Sequence, residues 1–337
     1  MNNILVVGAG LSGAVIAREL AEFGCNVHVI DKRDHVAGNA YDYQDSYTGI
    51  RIHKYGPHIF HTNNKKAFTW FTRFGEWVNY KHKVKAKLKN GQMVTLPVNL
   101  TTKRIVGENN LLDVLFRPYT KKMWNKEIEE LSPTILNRLP TRDDDNEYYF
   151  PNDQYQFMPK SGYTSIFKEI FDHKNIKVSL NTPFHKHMKK DYDHIFNSMS
   201  IDEYFDYRYG KLPYRSIKFL TSTLGETQYY GLPVVNFTDM GPFTRVTEWK
   251  CFPSHGENKN CTVVTFEEPC DYMDNNLERY YPVKDIDGSN RRTYQSYKLL
   301  VEDNMTFIGR CGLYVYIDMD QAIHSSLITA QKFKDTI

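Results

Sequence analysis

Asn3 to Val7 is a short apolar run, and Gly8-Ala9-Gly10-Leu11-Ser12-Gly13 follows it directly. Continuous apolar runs of this length belong to strands buried on both faces of a parallel sheet. Ala14, Val15, Ala17, Leu20 and Phe23 then recur at helical spacing until Gly24, and Val27 to Ile30 forms a second strand run closed by Asp31. The chain therefore opens with a βαβ unit.

Further along, Lys81 to Lys89 alternates lysine with Val84, Ala86 and Leu88, and Asn90-Gly91 turns it into Met93 to Val98, which predicts a hairpin. The lysine stripe reads as an exposed face guarding a sheet edge. Thr101 to Glu147 has a helical pattern broken at Pro118, Pro133 and Pro140. Val234 to Thr238, Val246 to Phe252 and Thr262 to Glu267 read as strands of a separate antiparallel sheet. Met305 to Ile308 is a last strand, and Asp318 is placed to cap a helix over Met319 to Phe333. The order predicts an α/β fold with a nucleotide-binding unit, an inserted helical piece, an antiparallel sheet, and a C-terminal return to the first unit.

At 337 residues the chain has room for two domains, or for one carrying inserts. Its 43 basic and 40 acidic side chains leave +3, so neither a nucleic acid nor a membrane is expected as a main partner. No run approaches the roughly 18 apolar residues of a membrane span, the N-terminus lacks a basic export leader, and five scattered cysteines have no paired spacing. A cytoplasmic location is the expectation.

Gly8, Gly10 and Gly13 form G-x-G-x-x-G between strand and helix, the geometry that lets a pyrophosphate approach a helix N-terminus. Asp31, 23 residues after Gly8, suits ribose hydroxyls and would repel a 2′-phosphate. Gly38-Asn39 offers a second close approach, and Gly309-Arg310 with Asp318 offers a distant one. A ligand reaching both is FAD rather than NAD.

His53, His58 and His61 crowd together, but no acid or cysteine accompanies them at ligand spacing, so no metal is expected and ordinary core histidines explain one or two. Asp143-Asp144-Asp145 lacks the rest of a calcium loop and reads as solvated. Arg138, Arg142, Arg208, Arg215, Arg245 and Arg310 stand near Tyr149, Tyr204, Tyr207, Tyr209, Tyr214, Phe243, Tyr314 and Tyr316, a combination that holds phosphate and stacks on rings.

These motifs converge. The runs Asp31 to Tyr41, His53 to Thr62, Tyr119 to Trp124, Tyr204 to Arg208, Asn236 to Asp239, Tyr280 to Val283 and Gly309 to Met319 resemble, in order, those of the UDP-galactopyranose mutase family. The resemblance implies an FAD-binding Rossmann-like βαβ domain, an inserted helical subdomain and an antiparallel β-sheet substrate domain. The parts fall at 1–64, 151–200 and 301–337 for FAD, 65–99 and 201–300 for the sheet, and 100–150 for a reduced helical insert with a mobile active-site loop. It also implies interconversion of UDP-galactopyranose and UDP-galactofuranose. In that chemistry N5 of reduced FAD attacks the anomeric carbon and expels UDP, the ring opens and recloses, and no net redox change results. The absence of a side-chain nucleophile with a partnered base agrees.

Carried over by position, Gly8, Gly10, Ser12, Gly13, Asp31, Lys32, Gly38, Asn39, His58, His61, Arg310, Tyr316, Asp318 and Met319 are expected at the FAD. Tyr119, Trp124, Arg138, Tyr149, Arg215, Arg245, Tyr281 and Tyr316 are expected at the UDP-sugar, with His61, Arg138 and Arg245 in catalysis. An unidentified reductant must keep the flavin reduced. Only 19 residues separate Asn99 from Tyr119, fewer than bacterial relatives carry, so a homodimer is expected to use a non-standard interface. Asn197-Ser198-Met199-Ser200 replaces a Thr-Gly-Pro turn, and Met240 to Phe243 a Val-Pro-Tyr segment. Two rivals are an FAD oxidoreductase of the amine-oxidase or desaturase type and a nucleotide-binding regulatory module. The density of Arg and Tyr favours an anionic substrate over the first, and the C-terminal flavin contacts over the second.

Overall fold

The computed structural model describes residues 2–130, 141–283, 285 and 287–337. Asn3–Val7 lies at the centre of a five-stranded sheet, with Asn26–Ile30 and Ile176–Ser179 on one side and His194–Asn197 and Met305–Phe307 on the other. Every pairing in it is parallel. Alternation along the first strand sends Ile4 and Val6 to one core and Leu5 and Val7 to another. That is why Ile4 to Val7 carries no polar residue. The first core is closed by the helices Leu11–Phe23, Tyr163–Phe171 and Met319–Lys334, the second by Ile201–Tyr204 and Ser289–Lys298.

A seven-stranded sheet stands beside it, in the order Tyr281–Pro282, Tyr214–Leu224, Thr262–Asp271, Arg245–Glu248, Val234–Phe237, Val84–Lys87, Met93–Leu96. It is mixed rather than antiparallel, because Val234–Phe237 runs parallel to Val84–Lys87. The lysine stripe is consequently on an interior strand: Lys83 and Lys85 pair with Glu147, and Lys87 donates to the Tyr230 hydroxyl. The strand expected over Val246 to Phe252 ends at Glu248, where Trp249–Cys251 coils into a 3₁₀ turn that buries the indole. A third, three-stranded sheet joins Phe60–Thr62, Tyr155–Pro159 and Trp77–Asn79.

Over its described residues the insert is not broken at Pro118 and is helical only in part. Leu112–Phe116 is wound as a π turn and leads straight into the helix Arg117–Trp124, and Pro118, which has no N–H to bond back, falls just after that widened turn. No helix occurs over 141–150. Pro133 and Pro140 lie outside the described residues. The acidic triplet is fastened down: Asp145 accepts from the Thr101 N–H and hydroxyl, Asp143 pairs with Lys103, and the Asp144 carbonyl accepts from the Leu100 N–H. Asn99 caps the helix Leu100–Val106 by accepting from the Thr102 N–H, and the Asp144 carbonyl and the Asp145 carboxylate take two more of its first N–H groups. Among the described residues no helix is long and apolar enough to cross a membrane.

Candidate functional site

The glycine turn is built by contact. A Cβ on Gly38, at φ +53°, would come within 2.8 Å of the Gly10 Cα, and one on Gly13 within 2.0 Å of the Gly8 carbonyl oxygen. The turn after the first strand and the turn at Gly38 therefore press backbone to backbone, leaving a cradle without side chains. Asp31 locks it, accepting from the Ala9 N–H at 2.7 Å and from the Arg33 N–H at 2.9 Å. Each carboxylate oxygen keeps capacity for a ribose hydroxyl.

A cavity of about 380 Å³ runs over this cradle, lined by Gly8, Gly10, Ser12, Gly13, Asp31, Lys32, Gly38 and Asn39 and, from the C-terminal segment, by Gly309, Arg310, Asp318 and Met319. Gln321 returns its side chain to the Asp318 N–H at 3.0 Å, which fixes the start of that last helix. Arg33, Arg279 and Glu203 also line the cavity and escaped the sequence reading. Arg33 pairs with Glu278 and Arg279 with Glu203. Arg33 stands inside the Asp31 to Tyr41 run without having been given a role, and Glu203 and Arg279 each stand one residue before a run that carries the resemblance.

A second cavity of about 690 Å³ adjoins the first, and Asn39, His58, Arg310, Asp318 and Met319 line both. Tyr119, Trp124, Tyr149, Arg245, Tyr281, Tyr316 and His61 line the second alone. Three sheets and the insert thus deliver the expected residues to one space. Burial raises the phenol pKa of Tyr119, with Arg245 pulling the other way, and pushes Tyr281 up to about 12. Both stay protonated, as hydrogen-bond donors to an anion. Arg310 donates to the carbonyls of Tyr280 and Ile317 and lies over the rings of Tyr281 and Tyr316, which stack on each other.

The histidines separate into roles. His53 is a core residue, 1% exposed, its Nε2 3.0 Å from His255 Nε2. Its Nδ1 accepts from the His58 N–H at 3.1 Å. His58 in turn sets Nδ1 2.8 Å from the Gly56 carbonyl, and burial holds it neutral with a pKa of about 4. With the Nδ1 proton assigned to that bond, Nε2 is a free acceptor where the cavities meet. His61 is stacked on Phe150 with its Nδ1 2.6 Å from Asp153. Among the described residues no group of three or more His, Cys, Asp or Glu is arranged to hold a metal ion.

Two residues expected at the UDP-sugar are not found on the described cavity walls. Arg215 lines neither cavity, because it is buried behind the helix Arg117–Trp124 and donates to the carbonyls of Met123 and Lys122. Arg138 lies outside the described residues. The sequence reading also missed Glu267, a buried acid on the second cavity's wall that pairs with Arg245 at 2.8 Å. The two stand opposite each other on neighbouring strands, a register that strand propensity alone does not give.

Residues 114–316 match the model of the UDP-galactopyranose mutase family, and residues 6–74 match that of an NAD(P)-binding Rossmann-like domain. A probable UDP-galactopyranose mutase of Klebsiella pneumoniae is 36% identical over 374 aligned positions, covering 99% of this chain and 95% of that protein. A dTDP-fucopyranose mutase of Escherichia coli is 35% identical over 377, covering 99% and 98%. A crystal structure of reduced UDP-galactopyranose mutase has the same fold, with a TM-score of 0.75 at 16% identity over all of this chain and 94% of that one. A Rossmann-like cradle, an adjoining arginine- and tyrosine-lined cavity and full-length similarity lead to one assignment: the chain belongs to the UDP-galactopyranose mutase family.

Proposed function

We propose that this protein interconverts UDP-galactopyranose and UDP-galactofuranose with reduced FAD in the first cavity. The observation that carries the reading is the junction of the two cavities at His58, Arg310 and Asp318, which sets a cofactor cradle against an anion-binding space. The side-chain-free contact of Gly10 with Gly38 fits a dinucleotide pyrophosphate, and Asp31 fits its ribose. A bound reduced flavin supplies the nucleophile for the anomeric carbon, so sugar isomerisation needs no net oxidation.

The chain's own residues do the rest. Arg245 presents the guanidinium nitrogens not held by Glu267 to the diphosphate, and Tyr119, Tyr149, Tyr281 and Tyr316 offer phenol protons to the phosphate oxygens. UDP is the leaving group and must be retained while the sugar ring opens and recloses. His58, its Nδ1 donating to the Gly56 carbonyl, offers Nε2 as an acceptor at the junction, and Asp153 orients His61 in the larger cavity. Phe150 and Trp124 cover the sugar and exclude water.

The Escherichia coli relative, named for a dTDP-sugar, supports a second reading in which the sugar is 6-deoxy and the base is thymine. Incubation with UDP-galactofuranose, and separately with dTDP-fucofuranose, each with and without dithionite, distinguishes them by product separation. Conversion of the UDP-sugar only after reduction supports the first reading. Preferential conversion of the dTDP-sugar supports the second, and equal rates with oxidised and reduced protein overturn both.

A further inference from the structure

The larger cavity is charge-balanced. Among its described lining residues the permanent cations are Arg245 and Arg310 and the anions Glu267 and Asp318. A nucleoside diphosphate brings at least two negative charges into that space, so no net positive field from these four groups attracts it. Glu267 is the member with no other task. It is 1% exposed; one carboxylate oxygen lies 2.8 Å from Arg245 Nε in an ion pair, and the other is inaccessible and has no hydrogen-bond partner among the described residues. A Cβ on Gly56 would come within 3.1 Å of that second oxygen. The acid is therefore wedged between the arginine and the loop that carries His58.

Burying a carboxylate is expensive, and here its partner Arg245 is 30% exposed at the cavity, so the pair lacks the full mutual compensation of two buried charges. A carboxylate that only propped the sheet would be a poor choice at this position. By holding Nε it turns the guanidinium fork of Arg245 toward the cavity, and by its charge it offsets the cation behind the fork.

We propose that Glu267 is a positioning residue and built-in counter-ion that weakens the grip of Arg245 on the nucleotide diphosphate, so that product is released. The proposal rests on the reading of the larger cavity as a nucleotide-diphosphate site. Glu267→Gln keeps the shape and removes the charge. It is expected to bind UDP tighter by roughly 5- to 30-fold, the scale of one buried charge acting across a few ångströms. Salt dependence should steepen, with kcat and KM falling together. A merely structural role would move UDP affinity the other way.

Should that variant fold poorly, Arg245→Ala and Arg245→Ala/Glu267→Gln are compared. The single change leaves a bare carboxylate facing the diphosphate, so the double variant should bind UDP at least fivefold tighter than the single. The measurement is UDP titration by calorimetry at two salt concentrations on protein of equal flavin content. Wild-type protein that binds neither UDP nor dTDP overturns the reading of the cavity. Wild-type protein that binds UDP, with Glu267→Gln no tighter or with no recovery in the double variant, overturns the role of Glu267.

Discussion

Arg215 Nε donates to the backbone carbonyl of Met123 at 2.8 Å, and one of its terminal nitrogens reaches the carbonyl of Lys122 at 3.3 Å. Both carbonyls belong to the last turn of the helix Arg117–Trp124, where C=O groups lack partners along the helix and a cation suits the negative end of its dipole. Lys122 holds the same helix from its other side, donating to the carbonyls of Phe237 and Phe243. The helix presents Tyr119, Met123 and Trp124 to the cavity, so these two cations fix part of the cavity wall.

Arg215→Ala should therefore lower stability by about 1.5–3 kcal/mol, the contribution of a charged hydrogen bond. KM should rise through the loosened helix, with flavin content unchanged. Denaturant unfolding and UDP titration separate these effects. A variant of wild-type stability that loses UDP binding would return Arg215 to the ligand.

Acid should weaken the fold before its carboxylates titrate. Burial holds His82 at about 3, with Arg245 and His61 adding to the depression, and His255 at about 4. Both are almost wholly buried. The unfolded chain takes up these protons near pH 6.5, whereas the folded protein does so only near 3 to 4, so stability is lost as pH falls from about 6.5 toward 4. Each histidine contributes up to about 1.4 kcal/mol per pH unit across that window. Guanidinium midpoints at pH 7.5 and 5 should differ accordingly, and His82→Gln should shrink the difference. A midpoint independent of pH over this interval contradicts the account.

What could be read from sequence followed how local the cause was. Asn3 to Asp31 declared itself because a strand buried on both faces, a glycine turn and an apolar helix stripe are each written in consecutive residues. The 11-residue strand Tyr214–Leu224 did not, since beyond Ile217 it is largely exposed and its Lys, Thr and Ser mimic a loop. Arg245 and Tyr316 stood out in the sequence only as members of a broad set of arginines and tyrosines, and Tyr119 only through family resemblance, because three sheets and the insert bring them together. Arg215 was misplaced for the same reason: its partner is a helix terminus 92 residues away, and no spacing rule distinguishes an arginine that meets carbonyls from one that meets phosphate.

Gly38→Ala tests the cradle. The new Cβ would lie 2.8 Å from the Gly10 Cα, at a φ of +53° that alanine avoids, so one of the two turns must move. Overpacking of this kind costs roughly 1–3 kcal/mol, and here it falls on the turn that faces the pyrophosphate. Flavin affinity should drop by roughly 5- to 150-fold while circular dichroism stays that of a folded protein. Wild-type flavin retention after dialysis would show that the contact is incidental.

Of the described arginines, Arg245 lines the larger cavity and not the first, and its ion pair with Glu267 is made through Nε, so it is the proposed ligand of the diphosphate. A charged hydrogen bond is worth roughly 1.5–3 kcal/mol, so Arg245→Ala should lower kcat/KM by at least about 10- to 150-fold. The exposed Glu267 carboxylate adds repulsion to that loss. Arg245→Lys should rescue poorly, because an ammonium is a point charge without the planar fork and cannot meet Glu267 and two phosphate oxygens together. Flavin content should be unchanged in both variants, which separates a clamp from a cofactor ligand. The resemblance extends the same expectation to Arg138→Ala. Steady-state assays with limiting UDP-galactofuranose under dithionite decide the matter, and wild-type turnover in either alanine variant removes that arginine from the clamp.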